Sequence, residues 1–148
     1  MQHLTLFEMV SLSYVPVDSF IFTFIRNPFD RIVSEWRWRG KKQTFRDFVS
    51  RRNTNIDSDF IQHQTTQCDY LRVGGAIKAD FIGRFENLKS DWGIACKKMG
   101  VRVELSHAME SNHDKTHYSK VYDVETRKRV EELYAEDLET FNYQYEEK

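Results

Sequence analysis

Phe20-Ile-Phe-Thr-Phe-Ile-Arg-Asn-Pro-Phe-Asp-Arg-Ile-Val-Ser-Glu-Trp36 is the stretch on which the fold turns. Phe20–Ile25 is aromatic or β-branched at successive positions, so it reads as a strand covered on both sides. Arg26-Asn27-Pro28 breaks it. Asn27 is a favoured N-cap, Pro28 a favoured first helical residue, and Asp30 is placed to serve the exposed N–H groups. The helix is predicted to run through Ile32, Val33 and Trp36 to about Gly40. A strand that passes through an arginine straight into a capped helix is the building unit of an α/β sheet, whose ligands sit beyond the carboxyl ends of the strands.

The flanking sequence extends this pattern. Upstream, Thr5-Leu-Phe-Glu8 is a capping-box signature ahead of apolar Met9, Val10 and Leu12. Downstream, a short helix is predicted from Thr44, with Asp47 three residues later and Phe45, Phe48 and Val49 on one face. Residues 53–75 are polar and irregular, close on Gly74-Gly75, and read as a long surface excursion. Ala79–Gly83 is a second buried strand, followed by Arg84-Phe-Glu-Asn87 and a helix over about 88–99, stopped by Gly100. Val101–Leu105 is a short strand candidate and Ser106–Tyr122 a polar loop. Asp123 caps a last helix, on which Val130, Leu133, Tyr134, Leu138 and Phe141 recur at three-to-four spacing. Strand and helix alternate, so the class is α/β, a parallel sheet flanked by helices, in one domain spanning 1–148.

Composition agrees. With 148 residues, 40% hydrophobic and 14% aromatic, and only 6 Gly and 2 Pro, the chain suits a single core and excludes a disordered or low-complexity protein. No apolar run approaches the roughly 18–20 residues of a membrane-spanning helix, and Met1–Val10 lacks a basic region ahead of an apolar stretch. As given, the chain is expected to be soluble and cytoplasmic. Cys68 and Cys96 stand outside any CxxC or Cys/His pattern and read as reduced thiols.

The net charge of −1 conceals an asymmetry. Residues 26–52 hold nine Lys/Arg against three acids, while residues 131–148 hold seven acids against Lys148. A basic zone inside a neutral chain suits a local anionic ligand or is an ordinary solvated face. The acidic C-terminal helix argues against nucleic acid as a partner. Arg26 offers a planar fork to an oxyanion at a helix N-terminus, and Ser34, about two turns along, offers a neutral donor. On spacing alone, a phosphate or sulfate site stands level with the plainer alternative, in which Arg26 pairs with a surface carboxylate and Ser34 packs.

Phe24-Ile-Arg-Asn-Pro-Phe-Asp-Arg-Ile-Val-Ser-Glu-Trp36 resembles the 3′-phosphate-binding motif of the carbohydrate sulfotransferase family, the Golgi-type and bacterial enzymes that use 3′-phosphoadenosine 5′-phosphosulfate (PAPS). Asp80-Phe-Ile-Gly-Arg-Phe-Glu-Asn-Leu88 is similar to its second signature strand, and His107–Tyr122 with the helix to Phe141-Asn-Tyr-Gln-Tyr145 to its C-terminal segment. The order of the three blocks makes the likeness specific. It implies a P-loop-like sulfotransferase fold, PAPS as sulfo donor without a metal, and a carbohydrate acceptor, including an anionic glycan. It implies further that Arg26 and Ser34 hold the 3′-phosphate and that the loop of Ser111, Asn112 and Lys115 closes over the nucleotide. Arg84 and Glu86 match signature positions and are expected to be structural, as an ion pair or strand-end cap.

His3 lies where the heparan sulfate branch of that family carries its general base. An alcohol must lose its proton as it attacks sulfur, and neutral imidazole suits that transfer. A surface histidine near a chain end is the plainer alternative. His63, in His63-Gln-Thr-Thr-Gln67, and Gln67 fall where relatives contact the acceptor, with an exposed polar loop as the plainer alternative. His107, His113 and His117 are irregularly spaced for metal ligation. The family's opening strand and Gly/Ser/Thr loop, which cradle the 5′-phosphosulfate with converging backbone N–H groups, have no counterpart here. No Gly precedes Gly40, and no Gly-Lys-Ser/Thr or Gly-Thr-Ser string occurs. The chain is therefore expected to be the C-terminal two-thirds of a fuller domain, a degenerate relative, or a domain whose loop comes from another segment. A Golgi location follows if an N-terminal anchor is missing. The alternative function is a non-catalytic nucleotide- or glycan-binding remnant of the same fold.

Overall fold

The computed structural model describes residues 4–16, 18–40, 42–50, 65–105 and 116–148. The chain divides into two units, each made of two separate stretches: 1–26 with 67–110, and 27–66 with 111–148. The class is the expected one, mixed α/β with a parallel strand pair and flanking helices.

In the first unit, α1 (Leu6–Ser11) starts at Thr5 with a complete capping box. The Thr5 side chain accepts from the Glu8 amide at 3.2 Å, and the Glu8 carboxylate accepts from the Thr5 amide at 2.7 Å. The Thr5 amide, and then the Thr5 hydroxyl, which donates to the same carboxylate at 2.8 Å, hold the Glu8 carboxyl below the usual carboxylate range. β1 (Phe22–Ile25) is set against a later strand whose approach is fixed by Asp80. The Asp80 carboxylate accepts from the Ile21 amide at 2.8 Å, while its own amide donates to the Ile21 carbonyl at 2.7 Å.

The intervening chain holds more order than its polar sequence suggests. Gln67–Leu71 forms a helix (α4) that buries Cys68 and Leu71. A hairpin follows, β2 (Arg72–Val73) against β3 (Ala76–Ile77). Gly74 and Gly75 both take positive φ, 60° and 81°, as a two-residue hairpin turn of this hand requires. The surface excursion read over 53–75 is thus corrected for its last part, while 51–64 lie outside the described residues.

β4 (Phe81–Arg84) then runs parallel to β1, with Phe22 opposite Phe81 and Ile25 opposite Arg84. Three of the four β1 residues are half-buried and only Ile25 is fully buried, so cover on the two faces is unequal. On one face Phe22 and Phe24, two residues apart, meet Trp92 at centroid distances of 5.9 and 6.4 Å. Gly83 lies opposite Phe24, and a Cβ there would stand 2.5 Å from the Phe24 ring, so the glycine makes room for that aromatic. Trp92 belongs to the long helix Leu88–Met99 (α5), which buries Ala95 and Cys96 and ends at left-handed Gly100. The predicted strand over Val101–Leu105 is not formed. Its backbone serves α5 instead, the Val103 carbonyl accepting from the Trp92 indole at 2.7 Å.

The second unit contains α2 (Pro28–Trp38), α3 (Phe45–Ser50), α6 (Val124–Leu133) and α7 (Ala135–Thr140). Phe29, Ile32, Val33, Phe45, Phe48, Val49, Tyr118, Val130 and Tyr134 form its core. Each such side chain contributes about 1.5–3 kcal/mol by leaving water. The polar loop expected over Ser106–Tyr122 is corrected where it is described. Tyr118–Lys120 is a 3-10 turn, Tyr118 is buried, and the Tyr122 hydroxyl donates to the Phe29 carbonyl at 2.9 Å. The predicted last helix is broken into α6 and α7 at Tyr134, whose φ and ψ of −119° and 24° leave the helical region. Asp123 caps α6 in a capping box with Thr126.

Candidate functional site

The Ile21 amide and carbonyl both face Asp80, so by strand alternation the N–H and C=O of Arg26, just after β1, fall on the edge of that strand away from β4. Gln67, the first residue of α4 and only 9% exposed, bonds to both of these groups. Its carboxamide oxygen accepts from the Arg26 amide at 2.8 Å, and its NH2 donates to the Arg26 carbonyl at 2.9 Å. The Arg26 guanidinium carbon lies 4.4 Å from the centroid of the Phe85 ring, in the 3-10 turn Phe85–Asn87 that follows β4. Backbone and side chain of Arg26 are thus held by different elements of the first unit. The planar guanidinium fork of an arginine matches the oxygens of a phosphate or sulfate.

In the second unit, Asn27 is 5% exposed and begins α2. Its side-chain oxygen accepts from the Phe29 amide at 3.1 Å, and its NH2 donates to the Gln144 carbonyl at 3.0 Å. Pro28 has no N–H to offer. As expected, the Asn27 cap satisfies the Phe29 amide, and Asp30 adds a carboxylate to the first turn. Ser34 is half-buried on α2, between fully buried Val33 and half-buried Glu35.

Much of the basic zone is also spoken for. Arg31 donates to the Thr65 carbonyl at 2.9 Å, and Arg37, itself buried, donates to the Thr116 carbonyl at 2.7 Å. Arg39 pairs with Glu35 at 2.6 Å. Arg46 bridges α3 to the start of α6 through Asp123, at 2.8 Å, and Glu125. The Asp123 carboxyl is lowered from 3.8 to about 2, first by the Thr126 amide, then by the Thr126 hydroxyl, with Arg46 adding to both. Tyr122 is moved in the other direction, well above 10, because burial disfavours its phenolate.

His3, His63, Ser111, Asn112 and Lys115 lie outside the described residues. Arg84 ends β4, where its amide donates to the Asp91 carboxylate at 2.7 Å, so the strand end is tied to α5. Among the described residues no cluster of three His, Cys, Asp or Glu is placed to hold a metal, and no helix is long and apolar enough to cross a membrane. Two open grooves, of about 220 Å³ beside Arg46 and Lys128 and about 630 Å³ beside Cys96 and Val103, are not lined by any predicted site residue. Gln67 as the partner of the Arg26 peptide is what the sequence did not reveal. A bond between positions 41 apart leaves no local pattern to read.

Residues 5–144 match the model of the Sulfotransferase family. A protein from Archaeoglobus fulgidus described as uncharacterized is 28% identical over 106 residues, which is 68% of this chain and 83% of that protein. No solved structure matches the chain.

Proposed function

The chain belongs to the sulfotransferase family, and from that premise we propose that it moves a sulfo group from PAPS to a hydroxyl of a carbohydrate acceptor. Sulfo-group transfer in general is what the family match supports. The donor and the acceptor class come from the likeness of the three sequence blocks. The observation that carries the reading is the end of β1, where Arg26 is fixed through both its peptide and its guanidinium immediately ahead of the Asn27 cap.

In this proposal Arg26 and Ser34 hold the 3′-phosphate, and Ser111 and Lys115 close over the nucleotide. His3 takes the proton of the acceptor hydroxyl as its oxygen bonds to sulfur. The bond from sulfur to the leaving phosphate oxygen breaks, and its electron pair departs with adenosine 3′,5′-bisphosphate. Cationic groups offset the charge that develops there. His63 is assigned to the acceptor side, and Gln67, at the end of the same segment, is turned to the Arg26 peptide.

Calorimetry with adenosine 3′,5′-bisphosphate and with adenosine 5′-monophosphate tests the assignment. The bisphosphate should bind tighter, and Arg26→Ala should remove about 10–100-fold of that preference, the worth of one charge-assisted hydrogen-bonded contact. Equal affinity for the two nucleotides in the unaltered protein would sink the reading. His3→Ala should spare binding and lower turnover of PAPS with a glycan panel. The sequence holds no Gly-Lys-Ser/Thr or Gly-Thr-Ser loop. Tight bisphosphate binding with no turnover would accordingly favour the non-catalytic reading.

A further inference from the structure

We propose that Gln67 is a positioning residue for the 3′-phosphate contact, acting through the Arg26 peptide. The inference rests on the assignment of Arg26 to that phosphate and adds the means by which Arg26 is aimed. In an extended strand the N–H and C=O of one residue point to the same side, so a neighbouring strand normally takes both. At Arg26 the neighbour is a side chain. The Gln67 carboxamide carries the same donor and acceptor as a peptide group, and it meets the Arg26 amide at 2.8 Å and the Arg26 carbonyl at 2.9 Å.

The substitution of a side chain for a strand has a consequence. Gln67 is 9% exposed, so little water is at hand to replace either bond if one of the two peptide planes flanking Arg26 turns. A buried amide or carbonyl left without a partner is costly, which makes this pair selective for one peptide orientation. The direction in which the Arg26 side chain leaves the backbone is fixed with it. The Phe85 ring then receives the guanidinium at 4.4 Å, on the turn that follows β4. Contacts from separate elements thus hold the backbone and the guanidinium of Arg26 before any ligand arrives. Pre-positioning of this kind raises affinity by removing the ordering cost from the binding step. Phe85 itself is exposed, so the ring fixes the charge from one side without enclosing it.

The experiment compares the preference for adenosine 3′,5′-bisphosphate over adenosine 5′-monophosphate in four proteins: unaltered, Gln67→Leu, Arg26→Ala and the double variant. Gln67→Leu should cut the preference about tenfold while leaving affinity for the monophosphate within a factor of about two, since loss of one to two neutral hydrogen bonds is being read through one contact. In the Arg26→Ala background the same change should have no further effect on the preference. A merely structural role would lower affinity for both nucleotides alike, or would add to the Arg26→Ala loss, and either result overturns the proposal. Should Gln67→Leu not fold, Gln67→Glu keeps the acceptor and replaces the donor by a carboxylate. Its preference should be weak at neutral pH and recover, relative to the unaltered protein, as pH falls and the introduced carboxyl regains an O–H for the Arg26 carbonyl. A pH profile parallel to that of the unaltered protein overturns the proposal. If the unaltered protein shows no preference, the phosphate assignment itself fails and this inference falls with it, whereas a preference that survives Gln67→Leu undiminished sinks only the role of Gln67.

Discussion

In the unit of residues 27–66 and 111–148, nine buried side chains from α2, α3, the Tyr118 turn and α6 with its following Tyr134 meet in one cluster. In the unit of 1–26 and 67–110, two four-residue parallel strands carry a layer of half-buried aromatics against Trp92. The first arrangement derives its strength from volume removed from water. The second depends on fit, because a two-stranded sheet has little interior and its aromatics must find matching space. The difference teaches where each unit is vulnerable: the helical cluster to loss of bulk, the strand pair to gain of a single atom.

Truncation of Phe48, 1% exposed at the centre of the cluster, should have the largest effect. Phe48→Ala is expected to cost about 3–5 kcal/mol in urea unfolding, through lost transfer energy and the cavity left behind. A cost near that of an exposed position would show that the cluster is looser than its burial implies. The strand pair is probed from the opposite direction. Gly83→Ala places a methyl 2.5 Å from the Phe24 ring and 3.1 Å from the Asp91 side chain, and should cost about 1–3 kcal/mol through overpacking. Gly93→Ala, on α5 of the same unit with no atom within 4 Å of its Cβ position, should instead stabilise by about 0.4–1 kcal/mol. Equal effects at the two glycines would remove the claim that fit governs this unit.

The smallest effect is expected from Asp123, at the edge of the helical cluster. Its carboxyl sits near 2 in the folded chain against an ordinary 3.8. A depressed folded value means the group stabilises the fold above its ordinary value and stops doing so as pH falls through about 2. Asp123→Asn retains a capping side chain but loses this titration, so its unfolding midpoint should fall less steeply with acid than that of the unaltered protein. Parallel curves between pH 5 and 2 would mean that the Thr126 and Arg46 contacts do not act on the charge.

Helix starts and stops were the legible part of this fold. Thr5, Asn27 and Asp123 each cap the helix they announce, and Gly100 ends the one it follows, because caps act within a few residues of themselves. The two parallel strands were legible as apolar runs. Hidden were elements whose stability comes from distant partners. Gln67–Leu71 has too few residues and too polar a sequence to declare a helix, yet it buries Cys68 and Leu71. Tyr118 and Tyr122 sit in a polar stretch and become core only when Phe29 is brought to them, with ring centroids 6.3 and 5.6 Å away. Val101–Leu105 alternates like a strand but carries its apolar side chains exposed, and its backbone serves Trp92. Of the candidate site, Arg26 and Ser34 were visible through motif and spacing. The fixing of Arg26 by Gln67 was not, since a glutamine amid polar neighbours looks like any surface residue.

The bond from Asn27 to the Gln144 carbonyl joins positions 117 apart. During synthesis at roughly 5–20 residues per second, the start of α2 therefore waits on the order of ten seconds for the partner that completes it. Until then Asn27 caps the helix through the Phe29 amide without that distant partner. A nascent chain stalled before residue 144 would present this junction without that bond.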